Sequence, residues 1–408
     1  MFTKPAMRLA LLLTILASLA GAQLPQRVLA GYWHNWSNIP LRQVPKLYNV
    51  VVLAFAIPRD GTEYDLKFDL PSGTTRASFL ADIATLHARG TKVILSIGGG
   101  TDPVSLATDA QRDRFVVSLD SILSAHQDAI DGIDLDFEST SMDFGDWTLA
   151  SPAPGQKRIV EAVQAVMARY RKRTGRKLLL TMAPELVYIQ GGLSRWQSDN
   201  VNGGAWIPVM MALQDSVDLL MPQFYNAGGA KGGIYGRDGR IWYDTGDPDF
   251  VVAMTETVLE GFRLLDGRGL FPGWPEEKFA IGLPSNSCNA AGTGYVAPED
   301  LSQAMKYLRG EIEQPASFAY ETLYIYPDLR GLMTWSINLD SNSCDGAWAF
   351  ARSAAGMLGP TGIVFRDRGA HGVGRGAVPD LMGRHNRGGT WAEFVDRLRH
   401  RKSRSTLP

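Results

Sequence analysis

Eight strand-like runs alternating with helix-length stretches predict a closed parallel (β/α)8 barrel built as a single domain. Three observations lead there. The runs at residues 27–33, 48–57, 92–98, 130–137, 177–184, 217–224, 278–284 and 331–337 are short and rich in leucine or β-branched residues. Several of the gaps hold amphipathic stretches (77–89, 109–126 and 155–174), and in the last Ile159, Val163, Val166 and Tyr170 recur at three- and four-residue steps, the spacing of one helical face. An open doubly wound sheet would carry a glycine-rich turn after its first strand. This chain has Tyr32-Trp33-His34-Asn35-Trp36 there instead.

Composition is globular: of 408 residues, 45% are hydrophobic and 20% charged. The net charge of −1 hides an asymmetry. Residues 362–408 hold ten Lys/Arg against four Asp/Glu, residues 1–22 add Lys4 and Arg8, and the body from 23 to 361 is left at −9. An acidic body argues against nucleic acid as a partner, because phosphate binding needs a basic surface.

The chain opens with basic Lys4 and Arg8, an apolar run over 9–20 and the small residues Ala20-Gly21-Ala22. That is the pattern of a secretory leader cleaved before Gln23. Residues 1–22 are therefore expected to be removed, leaving a soluble exported protein with no membrane span. Cys288 and Cys344 are the only two cysteines. In an exported chain an even count favours a disulfide, worth about 4 kcal/mol by chain entropy for this loop; two free thiols are the alternative. Neither cysteine has a second Cys or a His at zinc-ligand spacing.

Residues 27–33 and 48–57 end in aromatics: Tyr32, Trp33 and Trp36 after the first, Phe55 in the second. They suit stacking on sugar faces or burial in the core equally well. The fourth run carries the chemistry, as Asp131-Gly-Ile-Asp134-Leu-Asp136-Phe-Glu138. Alternation on a strand sends Asp134, Asp136 and Glu138 to one face and Ile133, Leu135 and Phe137 to the other. The acids then line the barrel interior and climb to its C-terminal rim, where barrel active sites lie. Carboxylates spaced about 7 Å apart on one buried face cannot all ionise, so one holds a proton near neutral pH. An acid beside a carboxylate is what glycosidic cleavage requires. Acids at alternate positions also suit Ca²⁺ or Mg²⁺, but a metal needs further oxygen ligands from neighbouring strands. The strand ends nearby are mostly aromatic or amide.

D-x-x-D-x-D-x-E at the end of the fourth strand resembles the signature of glycoside hydrolase family 18, in particular its bacterial chitinase branch. Ser96-Ile97-Gly98-Gly99 is similar to the family's S-x-G-G motif, a turn where glycine lets backbone pass close to the acids. Met182-Ala183-Pro184-Glu185, Gln223-Phe224-Tyr225-Asn226 and Trp335 match three further strand ends, and the resemblance runs over about 27–358. It implies a catalytic domain over 23–359, needing no cofactor and no metal. Glu138 would be the proton donor, Asp136 would orient the substrate's acetamido group, and Asp134 would lie beneath, sharing charge or a proton. Tyr225 would hydrogen-bond the acetamido oxygen. Gln223, Asn226, Met182, Glu185, Tyr32, Phe55, Gly98 and Gly99 would shape the sugar site, with Trp335 as its floor. The implied activity is retaining hydrolysis in which the substrate's own acetamido oxygen attacks, giving an oxazolinium ion. The partner is then chitin or another N-acetylglucosamine polymer, cut by a monomer. An endo-β-N-acetylglucosaminidase of N-glycan cores shares these residues, and a catalytically dead chitin-binding lectin would lack Glu138.

Only 285–330 separates the last two strands, too little for the α+β insertion many relatives carry there, so a shallow, open groove and internal cleavage are expected. Trp196, Trp206, Trp242 and Trp274 fall in loops that line the groove or pack inside. His34 has no nucleophile to pair with, and no G-x-S-x-G, H-E-x-x-H or Walker pattern occurs. After Pro360 the composition turns to Gly, Arg and His. A basic, disordered tail over 360–408 is expected, with Trp391, Phe394 and Leu398 spaced for one short helical face. Gly372-x-Gly374-x-x-Ala377 follows no strand and is given no weight.

Overall fold

The computed structural model describes residues 23–36, 39–193, 203–227, 233–236 and 241–359. The expected leader over 1–22, the expected tail over 360–408 and Trp196 lie outside the described residues. Eight parallel strands form the barrel: β1 (Val28–His34), β2 (Val50–Pro58), β3 (Lys92–Gly98), β4 (Gly132–Asp136), β5 (Leu179–Met182), β6 (Leu219–Leu220), β7 (Ala280–Pro284) and β8 (Gly331–Trp335). Their order is β7-β8-β1-β2-β3-β4-β5-β6, so each strand neighbours the next in sequence. Between β6 and β7 the ring is completed by single parallel bridges, Leu220 with Phe279 and Gln223 with Gly282. All eight strands coincide with the eight runs read from the sequence.

Strand parity divides the core in two. Inward residues such as Val28, Ala30, Val50, Val52, Ile94, Leu179, Leu219, Met221 and Met333 fill the lumen. Outward residues, among them Leu95, Ile133, Leu135, Phe137 and Leu332, pack with Phe115, Leu119, Val163 and Val166 of the helix layer. Buried on both faces, the strands read as continuous apolar runs, which is why their sequences show little alternation.

The helices are α1 (Arg76–His87), α2 (Asp109–Ala125), α3 (Pro154–Thr174), α4 (Ile207–Leu213), α5 (Pro248–Glu260), α6 (Pro298–Leu308), α7 (Ile337–Ser341) and α8 (Ala349–Leu358). Their ends follow the sequence. Thr75 and Thr108 cap α1 and α2 by accepting from Ser78 N and Gln111 N, and Gly175 ends α3 in the left-handed conformation. The first crossover holds only the short turn Leu41–Gln43. Two small hairpins, pairing Gly233–Tyr235 with Trp242–Asp244 and Phe262–Leu264 with Gly269–Phe271, lie between β6 and β7. Between β7 and β8 only α6 and loops are present, so the large insertion is absent there, as the spacing predicts. Among the described residues no helix is long and apolar enough to cross a membrane.

Two buried acids tie loops to this frame. Glu256 of α5, wholly buried, accepts from the hydroxyls of Tyr320 and Tyr326 at 2.6 and 3.0 Å and from the amides of Leu323 and Tyr324 at 2.8 and 3.2 Å. Asp340 of α7 accepts from Tyr48 Oη at 2.7 Å and from the amides of Phe350 and Ala351 at 2.9 and 3.2 Å. It thereby locks the segment that follows Trp335. Replacing Asp340 by Ala leaves a hydroxyl and two amides buried without an acceptor, so urea denaturation should show a loss of about 3 kcal/mol. Asp340→Asn, which keeps one acceptor oxygen, should lose clearly less.

Candidate active site

On β4 the side chains of Asp134 and Asp136 are buried in the lumen, and Glu138 follows just past the strand end. Register decides what meets Asp134. Ser96 of β3 and Thr181 of β5 are its lateral neighbours in the parallel ladder. Ser96 Oγ donates to Asp134 Oδ2 at 2.7 Å and Thr181 Oγ1 to Oδ1 at 2.6 Å. Tyr32 reaches across from β1 to give Oδ2 a third bond at 2.7 Å. Burial raises the proton affinity of Asp134, and these three donors work against that rise.

The two upper acids are treated differently. Gln223 Nε2 donates to Asp136 Oδ1 and to Glu138 Oε1, both at 2.9 Å, and to the Ala183 carbonyl at 3.1 Å. A hydrogen bond also joins the Asp136 and Glu138 carboxyls. Such a bond exists only when one of the pair is protonated. Burial lifts both groups, and for Asp136 the charges of Glu138 and Asp134 lift it further. A carboxylic acid beside its conjugate partner is therefore built into the site.

Above the acids lies a cavity of about 450 Å³, lined by Asp136, Glu138, Gln223, Tyr225, Asn226, Phe55, Trp36 and Trp335, among others. Among the described residues that line it there is no Lys, Arg or His. Phe55 and Trp335 stack at 5.8 Å with 13° between planes, and the exposed Trp36 extends this apolar floor towards solvent. His34 stacks on Trp36 at 4.4 Å and stays neutral, burial pushing it down to about 4. The wall opposite is glycine by necessity. At Gly98 (φ +105°) a Cβ would lie 2.5 Å from the Asp136 carbonyl oxygen, and at Gly99 (φ +89°) 2.8 Å from the Phe55 ring.

The sequence profile described as Glycosyl hydrolases family 18 matches residues 28–239. The chain belongs to this family. Chitinase Chi52 of Paenibacillus xylanexedens is 38% identical over 77% of this chain and 58% of its own length. Exochitinase 1 of Streptomyces olivaceoviridis is 36% identical over 83% of this chain and 57% of its own. The chain thus spans under three fifths of the length of these two relatives. Among solved structures, a family GH18 chitinase from Chromobacterium violaceum superposes with a TM-score of 0.70 at 32% identity, covering 83% of this chain and 86% of that one.

Within this family 18 barrel, Asp134, Asp136, Glu138, Gln223, Tyr225, Asn226, Phe55 and Trp335 converge on one mouth. Tyr225 faces all three acids and Glu185, whose charges and its own burial raise it. Asn226 is used structurally, its Oδ1 accepting from the amides of Gly292 and Thr293 at 2.9 and 3.1 Å. Two expectations need correction. Met182 points outward and is buried against the helix layer, because its parity on β5 is opposite to that of Thr181. Tyr32 is a lumen residue bonded to Asp134, no open sugar platform. Asp134 lies beneath Asp136 as expected, with three hydroxyls donating to it, and its charge raises the proton affinity of Asp136. Of the tryptophans that suited groove or core alike, Trp33, Trp206 and Trp274 are core residues, whereas Trp242 is exposed on its hairpin.

Ser96, Thr181, Gly100 and Asn35 went unnoticed as site residues. Ser96 and Thr181 were findable, as polar residues at inward parity on the strands flanking β4. Cys288 and Cys344 are joined as a disulfide, with Cα atoms 6.5 Å apart.

The acids make this mouth a weak point in stability. A carboxyl whose folded proton affinity is raised favours the folded state at low pH, and that contribution is lost as pH rises through its folded pKa. Glu138→Gln removes the loss. Its melting temperature should exceed that of the unaltered protein, by a margin that widens from pH 5 to pH 8 in thermal scans.

Proposed function

We propose that this family 18 protein is an exported endochitinase, cleaving internal β-1,4 bonds between N-acetylglucosamine units. The observation that supports it best is the hydrogen-bonded Asp136–Glu138 pair, bridged by Gln223, beneath a cavity floored by Trp335. The chitinases among its relatives support the substrate class. The absence of an insertion between β7 and β8 supports access to the middle of a chain, and the disulfide supports export.

In this reading the sugar ring at the cleavage point rests on Trp335, and Tyr225 Oη donates to its acetamido oxygen. Glu138 gives its proton to the leaving glycosidic oxygen while the acetamido oxygen attacks the anomeric carbon. The carboxyl of Asp136 accepts from the acetamido N–H and stabilises the positive oxazolinium as it forms. Water then opens that ring, with Glu138 taking the proton back. No enzyme nucleophile is needed.

Hydrolysis of a fluorogenic chitobioside tests the reading. Glu138→Gln should lose about a thousandfold or more in kcat. Asp136→Asn should lower kcat far more than it raises KM, since its contact strengthens as the oxazolinium develops. Products from a chitin hexamer decide the cleavage pattern: early dimers, trimers and tetramers mean internal cutting, and dimers alone mean action from a chain end. Activity confined to a high-mannose glycoprotein would replace chitin with N-glycan cores as substrate.

A further inference from the structure

Glu185, at the end of β5, has no step in that reaction, yet it is tied to the proton donor. Its Oε2 accepts from the amide of Ser139, the residue directly after Glu138, at 3.0 Å. Ser139 has a positive φ of 51°, a conformation serine seldom adopts, so the turn leaving Glu138 needs an external hold. Glu185 also bridges β-fashion to Gln223, whose side chain donates to Glu138. Glu185 therefore reaches both sides of the proton donor, its carboxylate through the following amide and its backbone through the strand that bears Gln223.

We propose that Glu185 is a positioning residue for Glu138: it clamps the turn that aims the proton donor and sets a second negative charge against it. The proposal rests on Glu138 being the donor. Among the described residues, the groups that face the pair bear no positive charge. Glu138 lies across from Glu185, Tyr188 faces both from the turn that follows β5, and Tyr225 faces both from beyond β6. Asp136 adds its carboxyl on the Glu138 side, and Asp143 faces Tyr188. Burial, then the charge of Glu138, push Glu185 up to about 7, the Ser139 amide opposing them. Coupling between two titrating groups is mutual, so a charge on Glu185 makes Glu138 keep its proton to higher pH.

The two functions separate by mutation. Glu185→Gln retains an oxygen for the Ser139 amide and removes the charge. Glu185→Ala removes both. In the full chain, kcat/KM on a chitin oligomer is measured from pH 4 to pH 9. Glu185→Gln should keep its low-pH rate within about threefold while its alkaline limb moves down by about one pH unit. Glu185→Ala should lose kcat at every pH by about tenfold or more with little change in KM. An alkaline limb for Glu185→Gln that overlays the unaltered protein overturns the charge role. A Glu185→Ala variant that only raises KM overturns the positioning role and makes Glu185 a plain substrate contact. An unaltered protein that fails to cleave would instead sink the chitinase reading. The thermal scans then still judge the charge, since Glu185→Gln should gain stability with rising pH whatever the substrate.

Discussion

The structure turns on how one strand keeps three carboxylic groups inside a barrel lumen. Placing Asp134, Asp136 and Glu138 on one face of β4 removes them from water, and burial alone penalises each charge by several kcal/mol. The barrel answers unevenly. Asp134, deepest, receives three hydroxyls held by the register of β3 and β5 and by Tyr32. Asp136 and Glu138 receive one shared amide, from Gln223, and each other. The lowest acid is therefore quiet, and the upper two are left to divide a proton at the point where substrate arrives.

That unevenness explains why the surroundings look as they do. The hydroxyls under the row must come from inward positions of adjacent strands, which fixes Ser96 and Thr181. The wall beside the row must let a ring and a carbonyl approach within contact distance, which excludes any side chain at Gly98 and Gly99. The floor must be apolar and flat enough for a pyranose, and Phe55 with Trp335 supplies it. Among the described residues the cavity has no cationic lining that would drain the proton from the pair.

Much of this was legible in the sequence. Strands buried on both sides leave apolar runs, and eight of them at regular intervals specify the barrel. Alternation along residues 131–138 places the acids without any knowledge of the neighbours. What could not be read were contacts set by register and parity across strands. Met182 lies beside Thr181 in sequence, yet only one of them faces the lumen, and a four-residue strand gives too few positions to count from a fixed phase. Tyr32 looked like a platform because aromatics at a strand end suit sugars. Its hydroxyl had a partner 102 residues away, beyond the reach of local pattern. The roles of Gln223 and Glu185 required the strands to be closed into a ring.

The disulfide has a practical side. It joins the loop after β7 to the loop between α7 and α8, and two residues beyond Cys288 the chain lines the cavity at Ala290. From there it runs on to Gly292 and Thr293, the amides that hold Asn226 in place. Recombinant material made in a reducing cytosol would lack this tether on one bank of the groove. Yield and solubility would then be poor guides to quality, and a thiol assay on the purified sample is the better criterion for an intact binding surface.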